Sequence, residues 1–422
     1  MSYIGLPRNF RRLNLWQRRE EIEKLSGIKK EDFRSTIPPE DLDELIDISI
    51  ESAVGSIPVP LGVASGLIID GELIHIPMAI EEPSVIAAAT YGGRTIAKSG
   101  GFRTKPAQPV MAVQMFLEYA GDDAERIVLA NTETIKSKVN QQFPKMAQRG
   151  GGYLELTTER LKETRLLKIT IFIDVRDAFG ANLLNTAGEA LAPFLEELTG
   201  GKSFMNILTN SANRRVGKAS FAIPVDNLAR AGLSGILVAE RIELASQLAA
   251  EDPERAVTNN KGIMNGVTAL ALATGNDTRA LESAVHMYAA KSGTYQSLTK
   301  FYRDQKGQLV GEIEIPTPLG IFGGNISFNP ASRFSLGLLG NPDAQKLSSI
   351  AASLGLAQNF AAIWALVSEG IQHGHMHLHG KRLAYQAGAR GNDIEILAAR
   401  LSGSGKIDLA NAQLLLKEMK RI

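Results

Sequence analysis

Cysteine is absent from this 422-residue chain. That removes disulfides, thiolate metal sites, iron–sulfur ligation and cysteine nucleophiles together, so any metal or nucleophilic chemistry must come from other side chains. Net charge is lacking too. With 46 basic and 45 acidic residues, no overall field draws in nucleic acid or an anionic membrane, and an anionic ligand must be held by local groups. Familiar signatures are also missing: no G-x-G-x-x-G follows a strand, and there is no P-loop, nucleophile elbow or His-Glu-x-x-His helix. A dinucleotide, if one binds, must be held in a non-Rossmann way. Residues 1–30 are rich in Arg, Lys and Glu and carry no apolar signal region, so export is not expected and a cytoplasmic location is. The longest uncharged run, Leu347 to Ser368, has the length of a membrane span. Ser348, Ser349, Ser353, Gln358 and Asn359 are scattered through it and Gly355 divides it, so it reads as two buried helical segments of a globular core.

What is present is a chain with 44% hydrophobic residues, enough to bury a large core in two or three domains. Trp16 to Lys30 and Glu40 to Ser49 have helical spacing, separated by Ile37-Pro38-Pro39. Val54 to Ile76 reads as loops and short strands; Pro83 suits a first helical position with Val85 to Thr90 following. Between residues 107 and 213 the texture becomes strand, helix, strand, strand, helix, with Leu166 to Val175 the clearest strand and Leu183 to Leu198 a helix. This reads as an inserted α+β domain. Asn227 to Ala249 and Val267 to Ala290 return to Ala- and Leu-rich helical patterns, and residues 371–422 form a small helical cap.

Several short segments can carry chemistry. Glu81-Glu82 before Pro83 is an acidic helix start, or a proton donor if burial or a neighbour keeps the proton on Glu82. Lys261 sits among amides and glycines in Asn259 to Gly266, just before an apolar helix; it is either a solvated loop lysine or a cation aimed at a developing oxyanion. Asp277 is a turn residue or helix N-cap that could orient Lys261. Asp177 to Asn182 is a capped turn, or a backbone cradle for phosphate at a helix N-terminus. His373, His375, His377 and His379 could chelate a metal or supply a neutral-pH acid.

Together these segments resemble the class II hydroxymethylglutaryl-coenzyme A (HMG-CoA) reductases, in order along nearly the whole chain. Glu81-Glu82-Pro83-Ser84-Val85 is similar to the family's Glu-Glu-Pro-Ser, and Asp177 to Asn182 to its Asp-Ala-Met-Gly-Ala-Asn with Phe179 for Met. Asn260 to Gly266 is similar to Asn-Lys-Gly-Ile-Met-Asn-Gly, Ala273 to Arg279 to Ala-Thr-Gly-Asn-Asp-Thr-Arg, and Gly374-His375-Met376 to Gly-His-Met. The resemblance implies four-electron reduction of HMG-CoA to mevalonate and CoA by two NAD(P)H, or the reverse. Glu82, Lys261, Asp277 and His375 are then the catalytic residues. Ser84, Arg255, Asn265 and Asn210 bind substrate; Asp177, Ala178, Phe179, Gly180, Ala181 and Asn182 bind the cofactor. No metal is implied.

The implied fold is α+β: a large mixed helical and sheet substrate domain (1–106 and 214–370), an inserted ferredoxin-like cofactor domain (107–213) and a helical C-terminal flap (371–422). Homodimers with active sites built across the subunit interface, often assembled further into hexamers, are implied as well. NADH-preferring members place an aspartate shortly after a Leu-Ala-Asn segment; here Leu129-Ala130-Asn131 is followed by Thr132 to Lys138. Thr134 is the nearest counterpart. Lys136 or Lys138 could receive a 2′-phosphate and Glu133 a ribose diol, which tilts the choice slightly to NADPH. Two rival readings are a metal-dependent hydrolase using the His373 to His379 cluster and a non-catalytic CoA-thioester binding protein.

Overall fold

The computed structural model describes residues 6–7, 9–26, 39–370 and 380–420. After α1 (Leu15–Ser26) and α2 (Pro39–Ser49), the chain forms a hairpin of β1 (Leu61–Ile69) and β2 (Glu72–Ala79), then α3 (Val85–Ala97) and the short β3 (Arg103–Lys105). Next come β4 (Val110–Glu118), α4 (Ala124–Ala130), α5 (Thr132–Gln142), α6 (Pro144–Gln148), β5 (Gly152–Arg160), β6 (Leu167–Asp174), α7 (Ala181–Thr199) and β7 (Lys202–Thr209). The four strands make one antiparallel sheet in the order β5-β6-β4-β7. Met111, Val113, Met115 and Leu117 occupy alternate positions of β4, so one face of the strand is apolar. With Ile169, Ile171 and Ile173 of β6 they pack on Leu184, Leu191 and Leu195 of α7 as one buried cluster.

The chain then adds β8 (Val216–Pro224), α8 (Gly235–Glu251), α9 (Pro253–Ala273), α10 (Thr278–Ala289), β9 (Thr299–Arg303), β10 (Gln308–Pro316), α11 (Asn325–Phe328), α12 (Pro330–Leu338) and α13 (Ala344–Ser368). A second sheet, β3-β8-β10-β9, joins residues on both sides of the first in sequence. Its core also takes in α3, α8, α9, α10 and α13. Helices through 380–386 (α14), Asp393–Gly403 (α15) and Leu409–Met419 (α16) bury a small cluster of their own around Leu383, Leu397, Leu401 and Leu416.

α13 corrects the sequence reading. Gly355 does not split it: the helix is continuous, and although it is long and apolar enough to cross a membrane it is mostly buried inside the protein. A Cβ at Gly355 would stand 2.9 Å from a Val267 methyl and 3.0 Å from one of Ile263, so the glycine is where α9 crosses closely. Glycine costs about 1 kcal/mol against alanine inside a helix; the packing on both flanks offsets it. The Asn227–Ala249 pattern also starts late, with α8 beginning at Gly235 behind a Ser234 cap, and Val267–Ala290 is interrupted at Thr274 to Asp277.

Candidate active site

Glu82 lies in the turn from β2 to α3. The helix starts at Val85, two residues beyond the expected Pro83, with Ser84 as the N-terminal boundary at φ 76°. Ser84 does not cap: its hydroxyl is buried and has no hydrogen-bond partner among the described residues. A left-handed non-glycine residue costs about 1–3 kcal/mol and an unpaired buried hydroxyl about as much again, a combination that collects at ligand sites.

Lys261 reaches this turn. Its Nζ lies 3.3 Å from Glu82 Oε2, with the two side chains 62% and 39% exposed. Ion pairs so open contribute little to stability, which leaves the contact free for chemistry. The loop expected around Lys261 is instead the middle of α9. The helix holds because the asparagines before the lysine bond to other parts of the chain. Asn259 Nδ2 donates to Ser297 Oγ and Thr299 Oγ1 at 2.7 and 3.0 Å, and accepts at Oδ1 from Asn359 at 2.9 Å. Asn260, fully buried, donates to the Gln296 carbonyl at 2.8 Å and accepts from Leu298 N at 3.0 Å. Asn265, half-buried, stands one turn after Lys261 on the same face. Arg255 is exposed in the first turns of α9 and has no ion-pair partner among the described residues.

Asp277 is the N-cap of α10, its carboxylate accepting from the amides of Arg279 and Ala280 at 3.0 and 3.1 Å, with the Arg279 guanidinium alongside at 3.3 Å. Burial pushes its pKa up, but these amides and the Arg279 charge outweigh burial and hold it below the ordinary aspartate value. Within one chain Asp277 does not join Glu82 and Lys261. It follows the end of α9, and the twelve residues from Lys261 to Ala273 span about 18 Å at 1.5 Å each, beyond the reach of either side chain. Asn210 is an exposed turn residue after β7, and His375, with His373, His377 and His379, falls outside the described residues.

Asp177 to Asn182 leads into α7 through Gly180, which has φ 101° and is buried beside Val175. The loop is fastened rather than free. Asp177 Oδ1 accepts from Ala344 N at 2.9 Å, its carbonyl accepts from Ile321 N at 2.9 Å, and Ala178 bridges Phe322. Phe179 is half-buried and Asn182 exposed. Thr134 and Lys136 are exposed on α5, where Lys136 pairs with Glu133 at 3.2 Å and Lys138 lies 4.6 Å over the Phe194 ring. Between α5 and α6 is an open groove of about 430 Å³, lined in part by Lys136, Ser137 and Asn140.

Three residues were not singled out from sequence. Arg215, 1% exposed, donates to the carbonyls of Ala178 and Leu319. Burial lowers its pKa to about 10, with Asp174 and Asp177 opposing the shift. Asn276 clasps Gly320, donating to its carbonyl at 3.1 Å and accepting from its amide at 2.8 Å. The Asp277 turn, the 317–320 strand exit and the Asp177 loop are thus one hydrogen-bonded unit. Arg382 of α14 donates to the Glu81 carbonyl, beside Glu82. The tandem Arg214-Arg215 was the only sequence signal for the first; the others depend on partners far along the chain.

Known proteins carry the same pattern. Residues 14–380 match the family model described as hydroxymethylglutaryl-coenzyme A reductase. The 3-hydroxy-3-methylglutaryl-coenzyme A reductase of Archaeoglobus fulgidus is 40% identical over 97% of this chain and 94% of its own length. A probable reductase of the same name from Borreliella burgdorferi is 37% identical over 91% of this chain and 88% of its own. Among solved structures, the Streptococcus pneumoniae enzyme superposes with a TM-score of 0.79 at 38% identity, covering 98% of this chain and 99% of that one. Another structure of the class II reductase from that organism, bound to NADPH in open conformations, gives a TM-score of 0.78 at 38% identity over 86% of this chain and 99% of that one. From the motifs, the matched length and these likenesses, the chain belongs to the hydroxymethylglutaryl-coenzyme A reductase family.

Proposed function

We propose that this protein reduces HMG-CoA to mevalonate and free CoA with two equivalents of a nicotinamide cofactor, and catalyses the reverse when the ratios of reactants demand it. The observation that carries the reading is Lys261 Nζ at 3.3 Å from Glu82 Oε2, beside the buried, unpaired hydroxyl of Ser84. The family match gives no support to the metal-hydrolase reading or to a non-catalytic thioester-binding protein.

The bound cofactor supplies hydride. Lys261 stabilises the oxyanion formed at the thioester carbonyl, a charge that is larger in the transition state than in the substrate. His375 protonates the departing thiolate, whose pKa of about 8.5 makes it a ready acceptor from an imidazolium. Glu82 gives the proton that completes the alcohol in the second reduction. Its half-open setting must close for that step, so that water is excluded from the proton transfer. Arg382, donating to the Glu81 carbonyl, attaches the C-terminal helices where such a closure is needed. Asp277 pairs with Lys261 from a second copy of the chain, since α9 separates the two within one chain. Arg255 and Ser84 hold the distal carboxylate of the substrate, with Asn265 and Asn210 near it.

Residues 107–213 form the inserted cofactor domain; their β-α-β-β-α-β order and antiparallel sheet support a ferredoxin-like, non-Rossmann arrangement. Residues 1–106 and 214–370 form the substrate domain and 371–422 the flap. The small, buried Gly180 at the start of the 19-residue α7 suits close approach of a diphosphate at Asp177 to Asn182. The α5–α6 groove with Lys136 and nearby Thr134 suits the adenosine end, and its lysine favours NADPH over NADH. The working form is a cytoplasmic homodimer without a metal.

A 340 nm assay with HMG-CoA and each nicotinamide tests the reading. Two NAD(P)H oxidised per HMG-CoA consumed is the expected result; one equivalent, or none with either cofactor, would overturn it.

A further inference from the structure

A closed set of hydrogen bonds links α9 and α10 on the side of α9 that carries Lys261. Lys261, Asn265 and Thr268 follow at spacings of four and three on α9, so they share one helix face. At the far end of that face Thr268 donates to Glu282 Oε1 on α10 at 2.5 Å. One turn further along α10, His286 Nε2 meets the other oxygen of Glu282 at 3.1 Å, while His286 Nδ1 meets the Tyr295 hydroxyl at 2.7 Å. The two rings are stacked with centroids 6.0 Å apart. The segment that carries Tyr295 returns to α9, where Asn260, the residue preceding Lys261, donates to the Gln296 carbonyl at 2.8 Å and accepts from Leu298 N at 3.0 Å. The set therefore leaves α9 one turn beyond Asn265 and returns to it next to the active lysine. Burial pushes the Tyr295 phenol above its ordinary value.

We infer that Glu282, His286 and Tyr295 are positioning residues that fix α10, and with it the Asp277 cap, against the Lys261 face of α9. This rests on the reductase reading, in which Lys261 and Asp277 of two copies must meet. By symmetry each copy contributes both helices, so the angle between α9 and α10 in one chain sets where its Asp277 arrives in the other's site. Leu281, Val285 and Ala289 seat the inner face of α10 in the core, and Gln296 N donates to the Ala289 carbonyl at 2.8 Å at its far end; the Glu282–His286–Tyr295 bonds add the directional polar contacts on the Lys261 side. None of the three residues needs to touch substrate. A displacement of about 1 Å at a reacting group can cost about a hundredfold in rate, so loss of the clasp is expected to act on turnover rather than on binding.

The test uses the purified full-length chain. His286→Ala is expected to lower kcat about tenfold or more while the KM for HMG-CoA stays within about twofold, with thermal unfolding still cooperative. His286→Gln, which keeps a donor and an acceptor, recovers most of the loss, and Tyr295→Phe, which removes one oxygen, reproduces part of it. A rise in KM with kcat unchanged, no rescue by glutamine, or wild-type kinetics in a folded His286→Ala variant would each overturn the inference. If His286→Ala does not fold, Tyr295→Phe decides alone. Amide hydrogen exchange over residues 278–281 reads the clasp without any activity: faster exchange in Tyr295→Phe supports it, and unchanged exchange overturns it. An inactive wild-type chain would instead strike the reductase reading, so the two failures are distinct.

Discussion

Lys261 and Glu82 meet at 3.3 Å, yet the two sides of the contact are built in opposite ways. On the lysine side, Asn259 and Asn260 use their side-chain amides on residues 296–299 and Asn359, and the helix continues through a segment rich in poor helix formers. On the glutamate side, a turn holds Ser84 at positive φ with its buried hydroxyl unpaired. One side is rigid because its polar groups are satisfied. The other holds a residue at positive φ and one buried hydroxyl without a partner among the described residues. A cation that must meet a developing charge gains from the first arrangement; a pocket that must accept and release a substrate gains from the second.

Substitutions sharpen the contrast. The largest effect is expected at Lys261→Ala, which should reduce kcat at least a hundredfold, about the loss from removing one oxyanion partner. Its urea midpoint should move little, because the side chain is 62% exposed; a large loss of stability would make Lys261 a brace rather than a catalyst. Arg215→Ala comes next. It strips the donors from the Ala178 and Leu319 carbonyls in a dry interior and should cost about 3 kcal/mol by chemical denaturation, with a raised KM for the cofactor through the Asp177 loop.

His75 tests the hydrophobic frame beneath the strained turn. Its ring is buried with neither nitrogen partnered among the described residues, and burial first, then the Arg94 charge, lower its pKa to about 4. The unfolded chain therefore binds more protons between about pH 6.5 and 4. Stability is full above the unfolded value and falls as acid is added through that window, by about 3 kcal/mol in all at 1.36 kcal/mol per unit. His75→Leu should flatten that part of a stability-against-pH curve; an unchanged slope would assign the acid sensitivity elsewhere. The smallest change belongs to Ser84→Gly, which relieves the positive φ and should stabilise the fold by about 1 kcal/mol. The same variant should raise the KM for HMG-CoA several-fold. Stabilisation without a change in KM would show that the strain at Ser84 serves packing alone.

The parts of this molecule legible in sequence are those whose cause is local. β6 and α7 follow from alternating and helical periodicity, and the Asp277 cap follows from one side chain and the amides two and three residues on. The motifs were likewise legible as short strings, but not what they do to one another. Lys261 was expected in a loop because Asn and Gly are weak helix formers, and only the distant partners at 296–299 and 359 reverse that preference. Gly355 was expected to break a helix that its close contact with α9 instead keeps whole. Arg215 resembles any surface arginine until the carbonyls of residues 178 and 319 surround it. The distance between Lys261 and Asp277 follows from α9 running unbroken between them, which the loop reading concealed.

That distance gives the most direct test of a site shared between two copies. Lys261→Ala and Asp277→Asn chains, each inactive alone, are mixed under conditions that exchange subunits and assayed at 340 nm with HMG-CoA. Mixed dimers with a two-fold axis then carry one site with both defects and one with neither, so activity should return to about a quarter of the wild-type level. No recovery from demonstrably mixed dimers would mean that Lys261 and Asp277 act within one chain, and would contradict the account.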